Sequence, residues 1–337
     1  MMRILVTGGC GYVGSRLTPV LLAEGHAVTV YDALIFGPNM LPDHRRLRVI
    51  EGDIRDSRHV EMAMREQQSV IHLAFLSNDP QFRLDPAVAT AVNLRGFETV
   101  LEAALANGVD RLILASSCSV YGTAAGYGEM ADEGHPLTPL TAYAMHKAEC
   151  EKRLFAAAQP GFCSVSLRAT TVCGYAPRQR LDLTFNRFAV DGYLKRRIVV
   201  RRGASYRPFV ALSDLVAVYA LLLRAPREAV SGRAFNAAYG NLTLADSALA
   251  LAAHIGADVA LEADDNNADD ARSYRISSRR LEQALGFRPH SHFVDAASEV
   301  IAGIRSGQLV DPETNPAYDN LTLQQRYDWS RFALASG

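Results

Sequence analysis

Six short apolar runs rich in β-branched residues recur through the first half of the chain: "RILVTG", "AVTVYD", "LRVIEGD", "SVIHLA", "RLILASS" and "CSVSLRA". They show almost no polar alternation, so both faces of each strand must be covered. Segments of helical periodicity near residues 13–24, 57–66, 86–107 and 141–158 separate them. Strand and helix in alternation, with strands too apolar to meet water, predict an α/β fold: a Rossmann-type doubly wound parallel sheet. After about residue 175 the rhythm gives way to a Pro/Arg-rich loop, "GYAPRQRLD", then to mixed helices and short strands. The expected division is a sheet domain over residues 1–175 and a smaller, irregular C-terminal lobe over 176–337, with some later segments returning to the sheet.

Composition narrows the partners. Lys plus Arg total 35 against 36 for Asp plus Glu, a net charge of -1, so no global field draws the chain to nucleic acid or an anionic membrane. A small-molecule partner is expected, with no nucleic acid and no membrane. The first residues lack a cleavage-type segment, and no window approaches ~18 uninterrupted apolar residues. The five cysteines show neither CxxC nor Cys/His ligand spacing, which fits reduced thiols in a cytoplasmic protein and no metal site.

The string "VTGGCGYVGS" follows the first strand and opens the first helix through Tyr12 and Val13. It contains Gly9-x-Gly11-x-x-Gly14 and also Gly8-x-x-Gly11-x-x-Gly14. Such glycines permit a tight turn and let a pyrophosphate approach backbone N–H groups at a helix N-terminus. Asp32 closes the second strand, 18 residues beyond Gly14, where a carboxylate accepts hydrogen bonds from an adenosine ribose. It would repel a 2′-phosphate, and Ala33 and Leu34 supply no offsetting cation, so NAD is the expected cofactor. Asp53 and Ile54, ending the third strand, are expected beside the adenine. Leu73 and Ala74 end the fourth strand with their backbone close to the cofactor, and His72 reads as a packed strand residue.

A second signal is Tyr143-x-x-x-Lys147 in "LTAYAMHKAECEKRL". On a helix these residues share a face, so the ammonium lies near the phenol. A positive neighbour lowers a tyrosine pKa that starts near ~10, which suits Tyr143 to acid/base work.

The glycine loop, Asp32, "SSCSVYG" and YxxxK in this order resemble the extended short-chain dehydrogenase/reductase family, in its NAD-dependent nucleotide-sugar epimerase/dehydratase branch. The resemblance runs over about residues 3–305 and includes "AVNLRGFETVLEAA", Arg168 in "SLRATTVCG", and "YRPFVALSDLVAVYALLL". It implies that Ser117, Tyr143 and Lys147 form a catalytic trio, with Tyr143 exchanging the proton of a sugar hydroxyl, Ser117 hydrogen-bonding the same oxygen, and Lys147 lowering the phenol pKa and orienting the ribose. It also implies a homodimer built from the helices near 86–107 and 141–158.

The departures are specific. Cys118 and Ser119 fall where sugar 4,6-dehydratases carry an Asp-Glu pair, and a thiol with a hydroxyl does not readily supply both acid and base for elimination. Cys118 is either small-residue packing or a second catalytic candidate, an acid or base in 3,5-epimerisation or an unusual dehydration. Ser116 and Ser119 read as structural. Thr171 stands where many members have Asn, and no Arg-Pro-Gly motif precedes "SYRIS". Contacts to a nucleotide-diphosphate sugar would then rest on Thr171, Asn186, Arg207 and Arg272, with Arg178 or Arg180 as further cations. The leading expectation is an NAD-dependent epimerase; a keto-sugar reductase or dehydrogenase is the main alternative, and a nucleotide-sensing binding protein would have no need of Tyr143 and Lys147.

Overall fold

The computed structural model describes residues 1–37, 40–77, 79–122, 130–262 and 273–332. Its central sheet has seven strands: β1 (Arg3–Thr7), β2 (Ala27–Asp32), β3 (Leu47–Glu51), β4 (Ser69–His72), β5 (Arg111–Ser117), β6 (Cys163–Ala169) and β7 (Arg233–Ala237). All pair in parallel, in the spatial order β7-β6-β5-β4-β1-β2-β3. This is the Rossmann-type sheet that the apolar runs predict; the seventh strand is contributed from beyond residue 175. Chain order reverses at β1, which has β2 on one side and β4 on the other. Connections leave a parallel sheet in opposite directions at such a point and open a crevice beyond the carboxyl ends.

Helices cover both faces, as fully apolar parallel strands require. On one face Leu17 and Leu21 of the helix Tyr12–Ala23 pack with Leu215, Val218 and Leu222 of the helix Leu212–Arg224. On the other, Val60, Phe97, Val100 and Leu154 come from the helices Ser57–Met64, Gly96–Ala106 and Ala142–Ala156. The periodic stretch 86–107 is not one α-helix: Pro86–Thr90 and Gly96–Ala106 are joined by a π-helical turn, Ala91–Arg95. Asn93 in that turn faces inward, accepting from the Leu76 amide at 2.8 Å and donating to its carbonyl at 3.1 Å. The wider turn thereby anchors the loop that follows β4.

The smaller lobe is built around a three-stranded sheet of Thr171–Cys173, Tyr206–Ala211 and Gly240–Thr243. Its core holds a ring cluster in which Phe185 lies 5.0 Å from Phe293 and 6.0 Å from Phe209. Each of these buried phenylalanines contributes roughly 1.5–3 kcal/mol by leaving water.

A buried charge pair fastens the Ala142–Ala156 helix to β6. Arg168 donates to Glu151 through Nε at 2.9 Å and through Nη2 at 2.6 Å, and its Nη1 donates to the Tyr121 hydroxyl at 2.8 Å. Ser166 Oγ adds a 2.8 Å bond to the same carboxylate. Removing one partner strands the other charge in the interior. Glu151→Ala is therefore expected to lower the unfolding free energy by about 3–5 kcal/mol, measured by urea denaturation.

Candidate functional site

Loops from the carboxyl ends of β1 to β6 converge on one cavity of about 460 Å³, within the range of ligand sites that enclose most of their guest. At the β1 end the glycine loop is shaped by close approach. Gly8 has φ +73°, and a Cβ there would stand 2.6 Å from the Ala74 amide nitrogen; a Cβ on Gly14 would stand 2.5 Å from Gly9. Only glycine lets β1, the first helix and the loop after β4 close to this distance. Gly11 caps the helix without a side-chain bond, so the first-turn N–H groups are not satisfied by a cap and the dipole favours an anion. Gly8, Gly11, Tyr12, Val13 and Gly14 all border the cavity. Tyr12 is also a strut to the smaller lobe, its hydroxyl donating to the Gly174 carbonyl at 2.7 Å.

Asp32 is buried beside this loop and accepts from the Cys10 and Leu34 amides, each at 2.8 Å. Burial pushes its carboxyl up, against those two bonds and the positive charge of Arg178. Two amides leave further lone pairs of the carboxylate for ribose hydroxyls. A cation therefore does reach Asp32, from far along the chain rather than from its neighbours Ala33 and Leu34. The Arg178 guanidinium stacks 3.8 Å above the Phe36 ring, and its backbone amide donates to Ser15 in the first helix. Nη2 donates to Asn320. Nε and Nη1 are buried with no hydrogen-bond partner among the described residues. Burial and the Arg180 charge push it down to about 9, so it stays cationic at neutral pH. The sequence offered Arg178 to the substrate; the structure puts it beside the glycine loop. Two orphaned donors next to a bare helix N-terminus fit the pyrophosphate of a dinucleotide, the group that the glycines and Asp32 also suit.

Further along the cavity lie Asp53, Ile54, Leu73 and Ala74. Asp53 is held by a bidentate bond from Arg55, 2.6 Å at the shortest. His72 faces away, bonded to Thr7 Oγ1 at 2.8 Å, and burial pushes it down to about 3, so it packs as a neutral ring.

At the far end the cavity wall brings together Ser117, Ser119, Tyr143, Lys147 and Thr171. Register places Ser117 of β5 opposite Ala169 of β6, and Thr141 caps the helix carrying Tyr143 and Lys147. Ser119 Oγ donates to Ser117 Oγ at 2.9 Å, so the serine read as structural borders the cavity. The Tyr143 phenol is pushed up on balance. Burial raises it, while the Ser117 hydroxyl and the Arg180 charge lower it. Lys147 is turned to the Ala115 carbonyl and the face of Phe75, 3.5 Å from the ring centroid and 5.9 Å from that of Tyr143. Phe75 also meets Tyr143 edge to face at 5.7 Å. Phe75 closes "HLAF", residues 72–75, the strand end expected to approach the cofactor through its backbone; the role of its ring does not follow from that reading.

Three of the expected residues lie away from the cavity wall. Cys118 lies in the interior with Val120, Tyr121 and Ile276; its thiol donates to the Arg168 carbonyl at 3.1 Å, and burial holds its pKa well above that of an ordinary thiol. The turn Cys118–Tyr121 points it away from the cavity, so it has no access to a substrate; all five cysteines are free and buried. Asn186 is fully buried and committed, accepting from the Gly174 amide and donating to the Tyr12 hydroxyl and the Arg180 carbonyl, which makes it a clamp between lobes. Arg207, on the outer part of Tyr206–Ala211, is outside the cavity lining, where Arg180 stands instead, paired with Asp182 at 2.6 Å. Arg272 lies outside the described residues. Among the described residues no cluster suits a metal ion, and no helix is long and apolar enough to cross a membrane.

Burial pushes the Lys147 ammonium down from 10.5 to about 7. The native state thus releases this proton before the unfolded chain does, and between those values the unfolded chain binds more protons, so this group makes stability rise with pH. The wild-type unfolding free energy is expected to climb relative to that of Lys147→Met between about pH 7 and 9. Parallel urea titrations of the two proteins check this.

Comparison with known proteins accords with this geometry. The NAD dependent epimerase/dehydratase family matches residues 4–238. A dTDP-glucose 4,6-dehydratase of Streptomyces griseus is 30% identical over 89% of this chain and 93% of its own. A UDP-glucose 4-epimerase of Lactobacillus helveticus is 27% identical over 87% and 94%. The crystal structure of the Thermus thermophilus UDP-glucose 4-epimerase in complex with NAD superposes with a TM-score of 0.77 at 29% identity, covering 90% of this chain and 99% of that one. The chain belongs to the NAD-dependent epimerase/dehydratase family, the nucleotide-sugar branch of the extended short-chain dehydrogenases/reductases, and its cofactor is NAD.

Proposed function

We propose that the protein is a nucleotide-sugar epimerase that inverts C4 of a nucleotide-diphosphate sugar through a transient 4-keto intermediate, acting in the cytoplasm. One observation carries this reading over elimination. At the two positions where 4,6-dehydratases bear Asp-Glu, Cys118 is turned into the interior and Ser119 offers only a hydroxyl. What borders the cavity is the set needed for reversible oxidation of an alcohol: Ser117, Tyr143 and Lys147. The names of the relatives, UDP-glucose and dTDP-glucose enzymes, point to the same substrate class.

Bound NAD supplies a hydride acceptor and, after turnover of the sugar, a hydride donor. The chain supplies the proton chemistry. Tyr143, as phenolate, takes the proton of the C4 hydroxyl while the C4–H bond breaks, and returns it when that bond reforms on the opposite face. Ser117 donates to the same oxygen, and the Arg180 charge favours the phenolate. Thr171, on the small-lobe strand Thr171–Cys173, borders the cavity, which supports a contact from it to the sugar. A homodimer through the outer faces of the helices Gly96–Ala106 and Ala142–Ala156 belongs to this reading, with Met145 exposed on the second of them. A molecular mass twice that of the chain in light scattering is the expected result.

The decisive assay is turnover of UDP-glucose and dTDP-glucose in deuterium oxide, read by NMR. Because the C4 hydrogen leaves and returns as hydride, an epimer with no solvent deuterium is expected. Elimination or 3,5-epimerisation passes through a solvent-exchanged carbon acid, so deuterium in the product or loss of water sinks the proposal, and net consumption of NADH makes the enzyme a reductase. Tyr143→Phe is expected to lower kcat by about 10²–10⁴ with its dinucleotide content unchanged.

A further inference from the structure

The C-terminal segment, polar and weakly periodic in sequence, runs back across the carboxyl edge of the sheet. Asn320 Nδ2 donates to Ser77 Oγ at 3.2 Å, and Gln324 Nε2 donates to the Gln81 carbonyl at 3.1 Å. The Tyr327 hydroxyl donates to the Ala33 carbonyl, just beyond β2, at 2.9 Å, and Arg331 pairs with Glu51, the last residue of β3, at 2.7 Å. The segment is thus sewn to the ends of β2 and β3 and to the loop after β4. These are the three places that carry Asp32, Asp53 and Leu73.

Between Tyr327 and Arg331 sits Trp329, the chain's only tryptophan. Its indole is half-buried, packs on the cluster that includes Tyr31 and Ile54, and forms part of the cavity wall. Two contacts fix it: Tyr327 meets it edge to face at 4.9 Å, and the Arg55 guanidinium lies 5.7 Å from its ring centroid while holding Asp53. An indole that borders the cavity, beside Ile54 and a clamped carboxylate, suits contact with a flat heteroaromatic ring.

We propose that the C-terminal segment completes the dinucleotide site, with Trp329 as the outer wall of the adenine subsite. The glycine loop and Arg178 hold the pyrophosphate and Asp32 the ribose; the tail covers the base and slows its release. An enzyme that oxidises and then reduces the same sugar must keep its dinucleotide through the cycle, and a strap over the adenine end does so without touching the reacting carbon.

The single indole makes the test direct. Full-length protein freed of dinucleotide is titrated with NAD, ADP-ribose and nicotinamide mononucleotide while indole emission is followed, with Kd measured in parallel by calorimetry. NAD and ADP-ribose are expected to shift the emission; nicotinamide mononucleotide is not. Trp329→Ala should raise Kd for NAD and ADP-ribose by the same factor, about ten-fold, the order of one base–aromatic stack. Trp329→Phe should keep most of the affinity, which separates stacking from mere support of the tail. Emission indifferent to bound ADP-ribose, or wild-type Kd in Trp329→Ala, overturns the proposal. Neither result bears on whether C4 is inverted, because no sugar is present.

Discussion

The placing of the Tyr143 phenol depends on the buried pair between Glu151 and Arg168. Lys147 and Glu151 are one turn apart on the helix that carries Tyr143, and Arg168 is on β6, next to the strand that ends in Ser117. A short, fully desolvated charge pair tolerates little displacement, because any lengthening leaves two charges unpaired in a low-dielectric interior. It therefore ties the helix to β6 at Glu151. Tyr121 and Asn236 extend the same network to the turn after β5 and to β7, with the Tyr121 hydroxyl donating to Asn236 at 2.8 Å. Serine reaches the cavity from β5, tyrosine and lysine from the helix Ala142–Ala156, and this polar seam holds the two elements in step.

The sheet was legible because its signal is local. β-branched runs, helical spacing and the glycine string each depend on neighbours a few residues apart, and the strand ends follow from where the runs stop. Asp32, Asp53, Ser117, Tyr143 and Lys147 border the cavity for that reason. What escaped depends on contacts across hundreds of positions or on the direction of one side chain. Nothing in "SSCSVYG" says that the turn after Ser117 sends Cys118 inward and leaves Ser119 outward. Asn186 and Arg207 are polar residues in plausible places, but one is spent on bonds between the lobes and the other stands outside the cavity. Arg178 was noticed as a cation; its partners Phe36, Ser15 and Asn320 come from three separate parts of the chain. The seventh strand and the π-helical turn at Asn93 likewise follow from tertiary packing rather than propensity.

Charge around the phenol comes from more than the i, i+4 lysine. Lys147 meets a backbone carbonyl and the face of Phe75, 5.9 Å from the centroid of the Tyr143 ring, and a second cation, Arg180, also favours the charged phenol; Arg180 is fixed by Asp182 and by Ser77, which accepts from it at 3.1 Å. Arg180 follows Arg178 in the loop that opens the smaller lobe. The two guanidiniums thus line different parts of one cavity from a stretch of three residues, one beside the glycine loop and one beside Tyr143.

The inward turn of Cys118 extends beyond catalysis. All five thiols are sealed in different parts of the molecule: Cys10 in the glycine loop, Cys118 under the reactive strand, Cys150 in the tyrosine helix, Cys163 at the start of β6 and Cys173 in the smaller lobe. A thiol reagent reaches each one only when its surroundings open. The chain carries a set of built-in reporters of breathing, and the order in which they become reactive ranks the local stability of its layers.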